Sequence, residues 1–377
     1  MKSIMFLCGG YRASYNGNFI PSLLTIEEKI KEQFRCVYVF HHEVKKYQWF
    51  KELNSNGHIV ETMDFDAGLL ARIKEIKRIS QKWQVSIIHV HFGDKLAATI
   101  YGHLTGTNII WHIHTDGSCG KKGIQNIRDC LIELKAFFGK RVIGRRVTRI
   151  AVSGDLAKKE NAIHIPNGLA LNRINKYDAA FRARKRLELG IPPETIMILL
   201  FGWSLDIKGL DLAYWAVKQL HEENKNICLY VVCAKDLLTP KEYLKNKCGY
   251  SENDSFIVFL PSIEDVYAYH SIADIFLSAS RSEGFSYSLL EALSIGKPCV
   301  ISNIKGTAWA KEFYDVEFFQ SGDISALVKA IERMTLRISQ SDVRPEADIR
   351  LVKEKYSAET MAEQVAKVYH MIDGRAK

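Results

Sequence analysis

Short apolar runs alternate with longer amphipathic segments along the whole chain, and few folds accommodate this alternation. Runs such as SIMFLC and VSIIHVHF are typical of strands, whereas GLLARIKEIKRISQKW has apolar residues at helical spacing. Strands that alternate with helices predict parallel sheets with crossover helices. The chain is therefore predicted to be an α/β protein.

A second series of strand-like runs begins at TIMILLFGW, so two doubly wound sheets are expected rather than one. The segment HIPNGLA separates the two series and contains Pro166 and an Asn167-Gly168 turn signal. We expect an N-terminal domain over residues 1–166 and a C-terminal domain over residues 167–355. Residues 356–377 predict a terminal helix with one buried stripe. The stripe consists of Met361, Val365, Val368, Tyr369 and Ile372.

The composition restricts location and partners only broadly. Of 377 residues, 47% are apolar and 25% are charged, which suits about two globular domains. The first residues, MKSIMFLCGG, form too short an apolar run for a secretory signal, and no later run has the roughly eighteen residues of a membrane span. We therefore expect a cytoplasmic protein with reduced cysteines. The formal charge of +9 favours an anionic partner.

Two glutamates occupy the segment SRSEGFSYSLLEALSIGKPCVIS, with Glu283 in a predicted loop and Glu291 in the helix that follows it. Ligands of doubly wound sheets bind beyond the carboxyl ends of the strands, where the amides at a helix start can hold a phosphate. The pattern favours one carboxylate per sugar, a ribose at Glu291 and a transferred hexose at Glu283. On spacing alone, the alternative is a pair of solvated surface carboxylates.

The same segment, with EGFS at its start and EALSIGKPCV at its end, resembles the E-x7-E signature of the retaining glycosyltransferases of family four. RLELGIPPETIMILLFGWSLDIKGLDLAYWAV is similar to the opening of that family's C-terminal domain, and YSAETMAEQVAKVYHMI is similar to its final helix. IAVSGDLAKK and IPNGLA resemble its last N-domain strand and its hinge. The resemblance implies the GT-B fold, in which two Rossmann-like domains face each other across a cleft and the final helix crosses back to the N-terminal domain.

The resemblance also implies roles for individual residues. Glu291 matches the glutamate that holds the ribose, Glu283 the one at the donor sugar, and Gly17 the second glycine of an N-terminal loop. Lys208 matches a lysine that stabilises charge on the leaving diphosphate, which lysine and helix amides can do without a metal ion. We therefore expect no essential metal and no cofactor. The implied catalytic residues are His114, Glu283 and Lys208, and the implied donor-binding residues are Gly17, Lys208, Gly284, Phe285, Ser286 and Glu291.

One position departs from the family pattern, because Trp203 stands where an arginine is expected after Gly202. In one alternative, Lys208 and the helix amides are enough to bind the diphosphate without that arginine. In a second, another cation such as Arg12 or Arg281 replaces it. In a third, the chain binds a sugar nucleotide without efficient turnover. Trp203 packing against the donor base or the hinge is a further alternative. The sequence leaves these alternatives open.

Two strand-like segments, HVHF and WHIHTDG, contain the pairs His89 with His91 and His112 with His114, each pair pointing to one face. We expect no zinc there, because H-x-H on a strand is a common coincidence and no carboxylate lies at ligand spacing. His114 best matches a family histidine near the sugar, with His112 as the alternative. His89, His91 and His112 are expected on the acceptor side, where His89 and His91 either pack or line the acceptor cleft. DFD, Asp64 to Asp66, resembles a metal-binding D-x-D motif but is interpreted as surface sequence.

Two basic stretches, LLARIKEIKRISQKW and LKAFFGKRVIGRRVTR, account for much of the positive charge. The first predicts either a helix that lies on anionic lipid or a sheet-covering helix with a solvated basic face. Peripheral membrane contact is expected from the two together. Nucleic acid is not expected, because no nucleic-acid-binding module accompanies the charge.

These observations predict a retaining, metal-independent glycosyltransferase, with a UDP-sugar as the favoured donor. The expected acceptor is a hydroxyl of a glycan or lipid-linked molecule, in cell-surface polysaccharide synthesis. Two alternatives are another GT-B enzyme, such as a sugar-nucleotide epimerase, and a non-catalytic partner subunit of the same fold.

Overall fold

A computed structural model describes residues 1–115, 147–202, 204–223, 225–233 and 236–374. The chain forms two compact units, which we describe separately. Unit 1 comprises Met1–Gly168 and Ala358–Lys377, and unit 2 comprises Leu169–Ser357. The sequence placed the divisions two residues earlier, after residues 166 and 355.

Unit 1 contains a seven-stranded sheet in the order β3-β2-β1-β4-β5-β6-β7, with every described pair parallel. Its strands are β1 (Lys2–Cys8), β2 (Phe34–His41), β3 (Ile59–Met63), β4 (Val85–Val90), β5 (Asn108–Ile113), β6 (Thr148–Ala151) and β7 (Ile163–His164). Its helices are α1 (Phe19–Ile30), α2 (Gln48–Ser55), α3 (Leu69–Trp83), α4 (Lys95–Thr105) and α5 (Gly154–Glu160), with a 3-10 helix at His42–Lys46.

Unit 2 contains a six-stranded parallel sheet in the order β10-β9-β8-β11-β12-β13. Its strands are β8 (Ile196–Phe201), β9 (Ile227–Cys233), β10 (Ile257–Pro261), β11 (Ile275–Ser278), β12 (Cys299–Asn303) and β13 (Val316–Gln320). Its helices are α6 (Ala179–Glu188), α7 (Leu210–Glu222), α8 (Leu238–Cys248), α9 (Val266–Ile272), α10 (Tyr287–Ser294), α11 (Ile324–Ser339) and α12 (Pro345–Lys355), with 3-10 helices at Leu171–Arg173 and Lys305–Glu312.

The central strands of both sheets are apolar on both faces, which explains their burial. In β1 every residue after Lys2 is buried, and in β8 every residue after Ile196 is buried. Parallel strands are covered by helices on both sides, so they appear as continuous apolar runs rather than alternating ones. The strand order reverses direction between β1 and β4 and between β8 and β11. The predicted pair of doubly wound parallel-sheet domains is confirmed.

The last helix of the chain, α13 (Ala358–Gly374), belongs to unit 1, although unit 2 precedes it in sequence. It packs against α1 and shares the unit 1 core with β1 and β2. Ion pairs join its surface to unit 1, with Lys2 Nζ 2.5 Å from Asp373 Oδ1 and Lys29 Nζ 2.9 Å from Glu363 Oε1. The predicted stripe is buried throughout: Met361, Val365, Val368, Tyr369 and Ile372.

Neither unit contains, among its described residues, a helix long and apolar enough to cross a membrane. Within the same residues the six cysteines are free thiols.

Ile372→Ala is expected to destabilise unit 1 by about 2–5 kcal/mol, because it removes buried methyl and methylene groups from the core. Ile372 is 5% exposed. Hydrogen–deuterium exchange of β1 and β2 peptides would measure the loss, with unit 2 peptides as the internal reference. Met371→Ala is the matched control, because Met371 is the preceding residue of the same helix and is 38% exposed. If the two variants accelerated hydrogen–deuterium exchange of the β1 and β2 peptides equally, the burial of Ile372 in this core would be contradicted.

Candidate functional site

Two loops of unit 2 meet where the strand order reverses. β8 and β11 are parallel neighbours, so their carboxyl ends lie at the same edge of the sheet. The loop after β8 carries Lys208, and the loop after β11 carries Glu283. Crevices at such reversal points are the usual ligand sites of doubly wound sheets. Trp203, also in the first loop, lies outside the described residues.

The structure brings together Lys208 and Glu283, two of the three predicted catalytic residues. The Lys208 ammonium donates a hydrogen bond to Glu283 Oε1, and Ser280 Oγ donates to the same oxygen over 2.8 Å. The side chains of Lys208 and Glu283 are 21% and 13% exposed. An ion pair screened this far from water keeps more of its attraction than a surface pair. A cation and a carboxylate are therefore held at fixed positions beside the strand ends.

Two glycines allow the backbones of these loops to approach each other. Gly209 has a φ of +68°, and a Cβ at this position would lie 2.1 Å from the carbonyl oxygen of Ala279. A Cβ on Gly306 would lie 1.9 Å from the carbonyl oxygen of Glu283. Real Cβ atoms do not approach backbone so closely. The loop that carries Glu283 is thus held between two positions that only glycine can occupy.

Arg281 ties the two loops together. Its guanidinium donates to both carboxylate oxygens of Asp211, over 2.9 and 2.7 Å, and to the carbonyl oxygen of Asp206. Its backbone amide donates to the carbonyl oxygen of Ile207 over 2.7 Å. Burial is the largest single effect on Asp211 and acts to raise its pKa, but the hydrogen bonds and the charge of Arg281, together with backbone hydrogen bonds, lower that pKa overall. Arg281 therefore holds the segment that presents Lys208.

The two arginines considered as substitutes for the missing one are both engaged. Arg281 is bound to Asp211, and the Arg12 guanidinium in unit 1 lies 2.8 Å from Asp66 and 3.2 Å from Glu43. Asp66 is exposed, which agrees with the interpretation of DFD as surface sequence.

Helix α10 begins one residue after the predicted start near Ser286. Ser286 is its N-cap and accepts a hydrogen bond from the Leu289 amide over 3.4 Å. The ring of Phe285 is buried and stacks on Trp309 with a centroid distance of 4.4 Å. Phe285 can therefore offer a ligand its amide but not its ring. Gly284, also buried, precedes it at the same helix start, where backbone amides favour anions.

Glu291 lies one turn into α10, largely buried, and faces a histidine that the sequence analysis did not identify. His270 Nε2 on α9 is 4.0 Å from Glu291 Oε2. His270 is fully buried, and burial, followed by the charge of Lys297, lowers its pKa to about 3. Neither of its ring nitrogens has a hydrogen-bond partner among the described residues. Its only sequence signal was a polar residue within the apolar helix VYAYHSI.

In unit 1, the two predicted histidine pairs form one cluster, because β4 and β5 are adjacent. His89 Nε2 is 3.2 Å from His112 Nδ1, and His91 Nδ1 is 3.0 Å from His114 Nε2. The Tyr369 hydroxyl of the final helix is 2.6 Å from His89 Nδ1. Burial, followed by the neighbouring histidines, lowers the pKa of His89 and His114 well below the ordinary value. The cluster is therefore neutral at pH 7.

The same cluster has the spacing of a possible metal site. Ligand atoms of His89, His91 and His112 lie within 4.8 Å of one another. The contacts among the imidazoles and with Tyr369 engage most of the ring nitrogens, but the Nε2 atoms of His91 and His112 have no partner among the described residues. The absence of an essential metal remains a prediction.

The predicted N-terminal loop is compatible with close ligand approach at Gly17. Gly17 has a φ of +48°, and a Cβ there would meet only the Tyr11 hydroxyl, at 3.7 Å. Gly9 and Gly10 differ, because a Cβ would collide with the Phe65 ring at 2.2 Å and with the Phe92 carbonyl oxygen at 2.4 Å. Gly9 and Gly10 are thus explained by packing, whereas the surroundings of Gly17 are open.

The first predicted basic stretch is helix α3, and its charge is partly neutralised. Arg72 pairs with Asp94 at 3.1 Å, and Lys82 pairs with Glu61 at 2.7 Å. Lys74 and Lys77 are exposed and form no ion pair with any residue that the structure describes. Most of the second stretch lies outside the described residues. Membrane contact remains a prediction.

The chain is similar in sequence to known glycosyltransferases. Residues 181–347, which include Lys208, Glu283 and Glu291, match the family model of glycosyl transferases group 1. A D-inositol 3-phosphate glycosyltransferase of Pseudarthrobacter chlorophenolicus is 22% identical over 64% of this chain and 60% of its own length. The match thus spans less than two thirds of that relative. The O-antigen biosynthesis glycosyltransferase WclY of Escherichia coli is 26% identical over 74% of this chain and 70% of its own length.

Solved glycosyltransferase structures share the fold over nearly the whole chain. Anabaena HepE in complex with UDP matches with a TM-score of 0.77 and 15% identity, covering 98% of this chain and 100% of its own. At that identity the likeness establishes the fold alone. The two parallel-sheet units are those of the GT-B fold, as predicted.

Gly209→Ala is expected to destabilise unit 2 by roughly 1–3 kcal/mol more than Gly249→Ala, because only the first substitution drives a Cβ into backbone. Both glycines have positive φ values, +68° and +70°, and the space around Gly249 is open. Each variant therefore carries a similar conformational cost, about 1–2 kcal/mol. Urea unfolding of the two variants measures the difference. Equal destabilisation would show that the loops do not need this close approach.

His112→Asn is expected to flatten the pH dependence of stability, by a slope that approaches about 1.4 kcal/mol per pH unit once the pH is well below 6.5. Burial, followed by the charge of Lys95, lowers the pKa of His112 to about 3. Below about pH 6.5, His112 is therefore protonated in the unfolded chain but stays neutral in the folded chain. The wild type consequently loses stability as the pH falls. Unfolding free energies between pH 7.5 and 5 give the slope. The exposed His103→Asn serves as the control. An unchanged slope in His112→Asn would mean that His112 titrates normally.

Proposed function

We propose that this chain is a retaining glycosyltransferase that transfers a sugar from a nucleotide-diphosphate donor, preferably a UDP-sugar, to a hydroxyl of a glycan or lipid-linked acceptor. The observation that carries the proposal is the Lys208–Glu283 pair beside the start of α10, within the segment that matches the group 1 model. A fixed cation, helix amides and a carboxylate at one strand edge suit a ligand with both phosphate and hydroxyl groups.

In the proposed reaction, the bond between the anomeric carbon and the diphosphate oxygen breaks while the acceptor oxygen bonds to the same carbon. The acceptor proton passes to the departing phosphate on the same face, so no protein nucleophile is required. Lys208 and the amides at the start of α10 stabilise the negative charge that develops on the diphosphate. Electrostatic stabilisation by fixed donors supports a metal-independent mechanism, and no further cofactor is proposed.

The carboxylates have different proposed roles because their surroundings differ. Glu283 already accepts hydrogen bonds from Lys208 and Ser280, so it is held in place to orient the donor sugar. Glu291 faces the neutral His270 and is proposed to accept hydrogen bonds from the ribose hydroxyls. His270 is neutral because burial lowers its pKa, so it places no positive charge beside Glu291 that would compete with a ribose hydroxyl.

Unit 1 is proposed to hold the acceptor and to supply His114. The contact with His91 engages Nε2 of His114, which leaves Nδ1 for a sugar hydroxyl. A neutral imidazole can donate or accept a hydrogen bond according to its tautomer. Gly17 is proposed to let the backbone approach the donor phosphate.

A role in cell-surface polysaccharide synthesis is supported by the relative WclY, whose name concerns O-antigen biosynthesis, and a UDP-sugar by HepE, which was solved with UDP. The formal charge of +9 supports peripheral contact with an anionic membrane. A cytoplasmic location belongs to the same proposal.

A thermal-shift screen against UDP, GDP, ADP, CMP and dTDP tests the donor site first. A nucleotide at 100 times its Kd adds about 2.7 kcal/mol of stability, which raises the melting temperature by several degrees. We expect UDP to stabilise the wild type and Glu291→Ala to lose that shift. Glu222→Ala, at an exposed carboxylate of the same unit, should keep it.

Turnover of the UDP-sugar, followed by NMR of the anomeric proton, tests the reaction itself. We expect retained configuration and activity that persists in a metal chelator. If no nucleotide raised the melting temperature in the thermal-shift screen, the donor proposal would be overturned in favour of a non-catalytic subunit. An altered sugar still attached to UDP would instead establish an epimerase.

A further inference from the structure

Unit 2 contains a concave region that the proposed reaction does not use. Its volume is about 540 Å³, within the range typical of small-molecule sites. Polar and apolar side chains both line it. The lining residues used below are Ile174, Lys176, Ile295, Lys297, Ile349 and Lys353.

This cavity lies at the opposite edge of the sheet from Lys208 and Glu283. Helix α10 starts beside the carboxyl end of β11 and runs back to the amino end of β12, which begins at Cys299. Ile295 and Lys297 occupy the turn between α10 and β12, so they mark the amino-terminal edge of the strands. The cavity is therefore separate from the proposed donor site, although α10 contributes to both regions.

The lining is positively charged. It contains three lysines and no acidic residue. Lys176 and Lys353 are exposed and make no ion pair with any part of the chain that the structure describes. Lys297 is partly buried and donates to the carbonyl oxygen of Ala273 over 2.5 Å. Burial, followed by the charge of Arg182, lowers the pKa of Lys297 to about 8, so a bound anion would relieve an unfavourable environment.

Two carboxylates close to the lining are already engaged. Asp265 accepts hydrogen bonds from Asn175, over 2.6 Å, and from Tyr177. Asp274 pairs with Arg182 at 2.5 Å and Arg186 at 3.2 Å. Both carboxylates are thus already engaged, and Asp274 opposes the lowering of the Lys297 pKa only in part.

The remaining lining restricts the shape of a ligand. Ile174, Ile295 and Ile349 provide apolar surface between the lysines. An inorganic anion would leave this surface exposed to water, whereas an ester with an apolar body would cover it. We propose that the cavity binds a small phosphate monoester with an apolar or aromatic body, at a site separate from the nucleotide-sugar donor.

Two segments of the lining adjoin the points where the chain passes between the units. Ile174 follows the first division, at Gly168 and Leu169, by a few residues, and Lys353 precedes the second, at Ser357 and Ala358. A ligand here would order both segments. The site thus suits an effector better than a second substrate, because the Lys208–Glu283 pair lies at the other strand edge.

Isothermal titration calorimetry with phenyl phosphate tests the proposal. Phenol and inorganic phosphate are titrated separately, because they represent the aromatic and the phosphate part of that ligand. We expect phenyl phosphate to bind more tightly than either, and Lys176→Gln/Lys353→Gln to weaken its binding at least tenfold. Lys74→Gln/Lys77→Gln removes the same charge from exposed positions in unit 1 and should leave binding unchanged. Glu291→Ala should also leave it unchanged, so the result is independent of the proposed donor site.

Four results would overturn the proposal. Absence of phenyl phosphate binding would show that the cavity is not a site. An equal loss in the Lys74/Lys77 control would show attraction to overall charge, and a loss in Glu291→Ala would place the ligand at the donor site. Inorganic phosphate binding as tightly as phenyl phosphate would contradict the apolar contribution. Ile174→Trp fills the cavity without changing its charge. This substitution should weaken the binding of phenyl phosphate as strongly as Lys176→Gln/Lys353→Gln does.

Discussion

The ion pair between Lys208 and Glu283 depends on two loop backbones lying in direct contact. Gly209 meets the carbonyl of Ala279, and Gly306 meets the carbonyl of Glu283, at distances that leave no room for a Cβ. Arg281 then joins the loops through Asp211. Side chains as flexible as lysine and glutamate lose rotamer freedom when they are fixed. Here the packing of the two loop backbones offsets this loss of rotamer freedom. The ion pair is therefore formed before any ligand binds.

The fold could be predicted from the sequence because its signals are local and repeated. Apolar runs such as SIMFLC and TIMILLF become the central strands β1 and β8, since only a sheet covered on both faces buries a run with no polar side. The stripe from Met361 to Ile372 likewise identified the buried face of α13. The family resemblance implied separate roles for Lys208 and Glu283 at the donor, and the structure supplies the contact that joins them.

The contacts that the sequence did not predict link residues far apart in the chain. Arg281 lies 70 residues from Asp211, and Tyr369 lies 280 residues from His89. No periodicity encodes such a pair, because it depends on which strands become neighbours. The two H-x-H motifs were recognised separately, but their histidines form one cluster only because β4 and β5 are neighbouring strands. His270 was missed for a similar reason, since its proximity to Glu291 arises from the packing of α9 beside α10.

The position of α13 also determines the order in which the chain can fold during synthesis. Unit 1 starts at the first strand, yet it lacks part of its core until α13 has left the ribosome, because Val365 and Tyr369 pack within that core. Every residue of unit 2 emerges before α13. Domains usually fold in order from the N-terminus during translation, but here the later unit is the first to be complete. The apolar surface of the nascent N-terminal sheet that receives α13 therefore stays uncovered until α13 has been synthesised.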